Sequence, residues 1–471
     1  MRRLLLLACT ATFFPAACSI INSYDDVRRA PANEGGTPGS GGSPSEPNEM
    51  GGDGNLAGDG SVGGQPPEMM AGAGGMAPVD PGPPTTGLIV VGGKSVDGAD
   101  DLMLTLDPAD GSELSRETIE GAAVVGIAYD GAEGKNLWFV FTASDFPADP
   151  MSKSDLQVRT YDDQSNEWTT VKKVTALPPP RPGSFVVLND RLAYLSYGLV
   201  NGILTDTVTI LDTSSRTDIA QIDFTATLSG TVLGMVGSRG APGDASALGG
   251  SLAIATGDRC NDATGAALDC GALGLTPIFV GDDVTTGVAS NFRGFLGHPA
   301  FASSATEQRA FVALPAETSA GNAEVIRFDP RDLEPEAPLV PPTPAKGLTG
   351  LTIADCLDVT VFGVIADSSL WATSEQGTSV KATLPHISQA VVYEPFTSSI
   401  IAPFNPDSPL LGGNMGTGGA GPEAALVALS VGKSGITPSL QVRAAAEWAP
   451  PDDVAVNVAA ARFPIPFDCP E

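Results

Sequence analysis

Residues 136–144 read NLWFVFTAS and residues 156–168 read LQVRTYDDQSNEW. The first is a short run of aromatic and β-branched residues, the composition that suits a pleated, half-buried surface. The second is another strand-like run that ends in an acidic turn, where Asp side chains can bond the backbone just ahead of them. The same pairing recurs along the chain. GLIVVGG (87–93) is followed by LMLTLDPADG (102–111), RLAYLS (191–196) by TVTILDTSS (207–215), and SLAIATG (251–257) by TPIFVGDD (276–283). Further on, RAFVAL (309–314) precedes AEVIRFDPRD (323–332), SLWATS (369–374) precedes AVVYEPFTS (390–398), and ALVALSVG (425–432) precedes LQVRAAAEW (440–448). The first members centre near Val90, Trp138, Tyr194, Ala253, Phe311, Trp371 and Val427. Such small units cannot bury both faces alone. Seven of them stacked face to face in a ring can, and the ring leaves only short edges exposed. The pattern therefore predicts an all-β fold, a seven-bladed β-propeller over residues 87–471. Tandem β-sandwiches, which also show evenly spaced strands, are the alternative.

One copy carries more than periodicity. Tyr161-Asp162, Asn166, Trp168, Leu177-Pro178 and Arg181 lead into SFVVLNDRLAYLS, which ends at Ser196. The preceding copy has the doublet Gly92-Gly93 followed by Leu106-Asp107-Pro108. With these residues the chain resembles the kelch type of β-propeller, and other propellers share the period.

The N-terminus is an address. Arg2 and Arg3 precede an apolar stretch from Leu4 to Ala17, long enough for a secretory signal and too short to span a bilayer. FPAAC, ending at Cys18, resembles the lipobox of bacterial lipoproteins, although Pro15 departs from it. The resemblance implies a signal peptide over 1–17 and lipidation of Cys18; Ser19 after it implies the outer membrane of a Gram-negative cell. Ordinary cleavage to a free secreted protein is the alternative. Residues 18–86 then contain the lipidated terminus and a Gly/Pro/Ser-rich tether with almost nothing to bury, expected to be disordered. Its reach is on the order of 40 Å.

A formal net charge of −30 argues against nucleic acid, which needs a clustered positive surface, so nucleic acid is not expected as a partner, and the membrane is expected to be met only through the lipid. Cys260, Cys270, Cys356 and Cys469 remain after Cys9 and Cys18, an even set in an exported protein and hence expected disulfides. Four cysteines allow three pairings; in one of them Cys260–Cys270 would close a short loop and Cys356–Cys469 would tie the C-terminus back to the sixth repeat.

Catalytic motifs are scarce. Only His298 and His386 are present, so zinc sites and Ser-His-Asp triads are hard to assemble. VGGKS at Lys94 and VGKSG at Lys433 lack the first glycine of a phosphate loop. Acidic groups supply the remaining chemistry. Asp97, Asp100 and Asp101, and likewise Asp258 and Asp262, offer the oxygen density of a calcium site, though in no known calcium-loop spacing. No cofactor other than calcium is implied. The expected function is a monomeric, non-enzymatic binding or scaffold protein with a protein or glycan partner. The alternative is a tethered polysaccharide hydrolase or lyase that uses acidic residues in the propeller funnel.

Overall fold

The computed structural model describes most of residues 87–462. Residues 1–86 and 463–471 lie outside the described part, as do 96–99, 132–134, 145–152, 223–230, 240–249, 258–271, 295–298, 305–308, 365–368, 384–390, 404–425, 444–453 and a few shorter stretches. What is described is almost entirely antiparallel β-structure in seven sheets.

The second sheet shows the plan. Ala123–Asp130, Leu137–Ala143, Ser154–Asp162 and Glu167–Leu177 follow one another as a meander from the inside outward. The third sheet (Val186–Leu188, Arg191–Val200, Ile203–Asp212, Ala220–Ile222) repeats it. So do the sixth (Leu348–Ala354, Val359–Val364, Ser369–Ser374, Ser379–Thr383) and the seventh (Val392–Glu394, Ser399–Pro403, Leu426–Ser434, Thr437–Val442). The fourth, opened by Thr231–Ser238, gains an extra strand at Ser290–Gly294, and the fifth, opened by Ala300–Ser303, has three.

The opening strands touch one another in order. Ala123–Asp130 lies against Val186–Leu188, which lies against Thr231–Ser238, and the contacts continue through Ala300–Ser303 and Leu348–Ala354 to Val392–Glu394. The first sheet closes the ring. Its Ile89–Ser95, Asp101–Leu106 and Glu113–Ile119 come from the start of the described chain, while its innermost strand, Val454–Arg462, comes from the far end and touches Ala123–Asp130. Sheets arranged this way around one axis form a β-propeller.

Packing follows from the two-residue period of a strand. In Leu137–Ala143 every residue is buried, because both faces are covered. Leu137, Phe139 and Phe141 join an apolar cluster with Leu192 and Tyr194 of the third sheet. Trp138 and Val140 point the other way and join Val90 and Met103 of the first sheet. The pattern continues: Ala193 and Leu195 face the fourth sheet, and Ala253 and Ala255 face the fifth. Each apolar cluster draws on two adjacent sheets rather than on one central core, which separates this ring from tandem sandwiches.

The expected repeat slips near its end. Val90, Trp138, Tyr194, Ala253 and Phe311 lie in the second strands of their sheets, but Trp371 and Val427 lie in third strands. The second strands there are Val359–Val364 and Ser399–Pro403, and Val392–Glu394, expected to complete the sixth unit, opens the seventh sheet. Loop lengths vary enough between units to hide the shift behind an even spacing.

The residues behind the kelch resemblance have structural roles. Asn166, at φ 56°, occupies the turn after Tyr161, and its Oδ1 accepts from the Tyr161 hydroxyl at 2.8 Å. Trp168 packs against Tyr161 and edge-on to Trp138 at 4.8 and 5.5 Å. The Arg181 guanidinium donates to the Val232 carbonyl of the fourth sheet at 2.9 Å. Cys356, in the turn after Leu348–Ala354, is disulfide-bonded, and Cys260, Cys270 and Cys469 lie outside the described residues. No helix among the described residues is long and apolar enough to cross a membrane.

Candidate functional site

The strand Ser154–Asp162 alternates in a way a fully packed strand would not. Leu156 and Val158 face the apolar seam with the third sheet. On the opposite face stand Asp155, Gln157 and Arg159, polar residues turned toward the first sheet. Their cross-strand partners continue that face: Thr142 pairs with Asp155, and Lys173 with Gln157. Across the seam, Glu113–Ile119 is the outermost strand of the first sheet and carries Glu117. It leads through Glu120, Gly121 and Ala122 into Ala123–Asp130. Near the axis this seam is filled by Trp138, Val140 and their neighbours. Toward the rim it opens into a groove of about 410 Å³, lined by Glu117, Glu120, Lys153, Asp155, Arg159 and Lys173 among others. That volume falls within the range of small-ligand sites.

Arg159 spans the seam. Its side chain is buried, and a buried charge must be paired to be tolerated. Nη1 lies 2.6 Å and Nη2 2.9 Å from the two oxygens of Glu117, a two-point grip that fixes the carboxylate as well as neutralising the cation. The guanidinium also lies 5.3 Å above the Trp168 ring and 3.8 Å from the Met103 sulfur. Trp168 is itself held by donating its indole N–H to Thr105 Oγ1 of the first sheet at 3.0 Å. Asp155 is held separately, by Lys173 Nζ at 2.9 Å and by the Ala176 amide at 3.4 Å. Burial pushes the neighbouring Tyr161 phenol up to about 12, so it stays protonated at physiological pH. Two of the groove's carboxylates, Glu117 and Asp155, thus come one from each side of the seam, each oriented by its own cation.

A second charged cluster lies at the inner ends of the sheets. Asp130, fully buried at the end of Ala123–Asp130, has Arg239 at 3.4 Å and Lys135 at 3.6 Å, and Lys135 also bonds Asp190 of the third sheet at 2.5 Å. These contacts join the second, third and fourth sheets. Asp130 is too enclosed to meet a substrate.

The residues singled out from the sequence fall elsewhere. Asp100 closes a turn, its amide donating to Ser95 Oγ at 2.9 Å, and Asp101 begins a strand. Asp97, Asp258 and Asp262, like Cys18, lie outside the described residues. Among the described residues no group of three or more His, Cys, Asp or Glu side chains gathers to hold a metal. Glu117, Asp155 and Arg159 were not identified from the sequence. Their signal was the polar alternation of Asp155, Gln157 and Arg159 within a strand whose other face is apolar.

No protein-family model matches the chain, and no curated protein does. Solved structures do. The periplasmic gluconolactonase of Pseudomonas aeruginosa aligns at 14% identity with a TM-score of 0.49, over 80% of this chain and 99% of its own. Two structures named as 6-phosphogluconolactonases are similar: one from Bacteroides uniformis at 13% identity and TM-score 0.48, over 80% and 99% of the two chains, and one from Bacteroides fragilis at 12% and 0.46, over 82% and 99%. At such identities the likeness concerns the fold. The expectation of a non-enzymatic binding or scaffold protein is corrected in that these structures are named as lactonases, which are hydrolases.

Proposed function

We propose that this chain is an envelope-tethered hydrolase that cleaves a saccharide in the groove between its first and second sheets. One observation carries the reading: Glu117 and Asp155 line the same groove from the two sheets, each held in place by a cation. Glycoside hydrolysis calls for such a pair. One carboxyl gives its proton to the leaving oxygen, while the other, as a carboxylate, activates water or attacks the anomeric carbon, and water's OH and H end on the two fragments. Arg159 and Lys173 fix the orientation of the two groups, and strands keep such a site's geometry better than loops do.

The rest of the proposal concerns delivery. Lipidation at Cys18 and the Gly-rich stretch to residue 86 would hold a monomeric kelch-type propeller at the outer membrane, within reach of envelope or external glycan. Disulfides among Cys260, Cys270, Cys356 and Cys469 would stabilise it there.

The test is a substrate panel offered to the purified full-length chain, with polysaccharides read by release of reducing ends and sugar-acid lactones by ring opening. Activity on at least one substrate is expected, falling by about 10²-fold or more in Glu117→Gln and Asp155→Asn. Activity that survives both substitutions would remove the groove from the reaction. Inactivity across the panel would remove the hydrolase.

A further inference from the structure

The two walls of the groove carry opposite charge. The first-sheet side supplies Glu117 and Glu120; the second-sheet side supplies Lys153, Arg159 and Lys173, with Asp155 among them. The pairing described above consumes part of this. Arg159 is committed to Glu117, and Asp155 is shared with Lys173, whose side chain stays about half exposed at 54%. Lys153 is exposed and makes no ion pair among the described residues. Arg159 Nε finds no acceptor among the described residues but is buried, so the donors open to a ligand are those of the two lysines. Unspent donor capacity is therefore concentrated on the second-sheet wall.

From this we infer that the groove selects a saccharide bearing a carboxylate, with Lys153 and Lys173 meeting the acidic group while the rest of the sugar lies toward Glu117. The choice of class rests on the hydrolase reading for its consequence but not for its binding. A chain with a net charge of −30 gains nothing from long-range attraction of an anion. Beyond about 8 Å that field is screened at physiological ionic strength, so local cations decide. Lysine ammonium groups suit this task as hydrated point charges on flexible stems, able to follow a carboxylate on different rings.

Monosaccharides test the inference without any bond to cleave. The full-length chain is titrated with galacturonate and with galactose, sugars that differ in the carboxylate, by calorimetry or ligand-observed NMR. Galacturonate is expected to bind at least tenfold more tightly, to weaken as salt rises from about 50 to about 500 mM, and to lose its advantage in the Lys153→Ala, Lys173→Ala double variant. Equal affinity for the two sugars would overturn carboxylate recognition and leave the hydrolase reading standing. Binding of neither would overturn it too, while the substrate panel reports separately on hydrolysis. A preference retained in the double variant would overturn the assignment to these lysines.

Discussion

Arg159 of the second sheet holds both carboxylate oxygens of Glu117 in the first, at 2.6 and 2.9 Å. The contact crosses the seam where the groove opens, so it joins two blades as well as orienting a carboxylate. Removing the cation leaves Glu117 without its partner and Trp168 without the charge above its ring. Because Glu117 keeps about a third of its exposure, the loss is smaller than for a fully buried pair. Arg159→Met should cost about 1–3 kcal/mol in urea unfolding, and a cycle with Glu117→Gln should show coupling above about 1 kcal/mol. Additive effects would mean that the two groups act independently.

Inner strands carry a second shared feature. Gly126 and Gly234 each sit beside an irregularity in strand register, and each faces a phenylalanine of the next sheet. A Cβ on Gly126 would lie 2.2 Å from Phe185 Cζ, and one on Gly234 2.3 Å from Phe301 Cδ2. Phe185 is wedged against Phe141 and Tyr194 at 5.1 and 5.8 Å and has nowhere to retreat, whereas Phe301 is only partly buried. Gly126→Ala should therefore destabilise by about 1–3 kcal/mol, Gly234→Ala by less. Adding Phe185→Leu should recover part of the first loss. Equal melting temperatures for the two single variants would contradict this account.

These glycines show where sequence reading succeeds and where it stops. Strands such as Leu137–Ala143 were legible because seven consecutive apolar or β-favouring residues can only lie between two covered faces. Val124-Val125-Gly126-Ile127 and Val232-Leu233-Gly234-Met235 form a matching signature, yet it was hidden among runs that read equally well as outer strands. The outer strand Glu113–Ile119 is half exposed and has no apolar periodicity to mark it, so Glu117 could not be placed. Its partner Arg159 was legible as part of a strand but not as part of a groove, since the empty space opposite belongs to another sheet. Ring closure by Val454–Arg462 was equally unreadable in detail. That strand finds its partner at the opposite end of the chain.

Closure can be tested directly. Gly93 pairs with Val456, and Arg443, just after the last strand of the seventh sheet, donates to the carbonyls of Pro108 and Ala109 in the first, each at 3.1 Å. Gly87 is wedged between the same two sheets, where a Cβ would meet Glu394, Phe396 and Pro108 at 2.9 Å. A chain ending at Arg443 would leave the inner edge of Ile89–Ser95 unpaired, an invitation to aggregation. It should lose its cooperative thermal transition and associate in size-exclusion chromatography. Arg443→Ala, which keeps the strand, should cost only about 1–3 kcal/mol, since hydrogen bonds from a charged donor are worth that much. A monomeric, cooperatively melting truncation would show that the ring closes without its last strand.

Glu394 ties stability to pH. It is fully buried at the end of Val392–Glu394, and burial pushes its carboxyl above the ordinary range. The Thr397 hydroxyl and amide, the Phe396 amide and the charge of Arg443 pull the other way without overcoming it. The folded chain therefore keeps this proton to higher pH than the unfolded chain does. Its contribution to stability is fully present below the unfolded value near 4.5 and is lost as pH rises through the folded value. Glu394→Gln removes the titration, although its amide group must face donors that the carboxylate accepted. Measured against that variant, the native chain should gain stability as pH falls from about 8 to about 4, by on the order of 1 kcal/mol for each unit by which the carboxyl is displaced. A difference that stays flat, or that grows with rising pH, would mean that the turn donors and Arg443 outweigh burial.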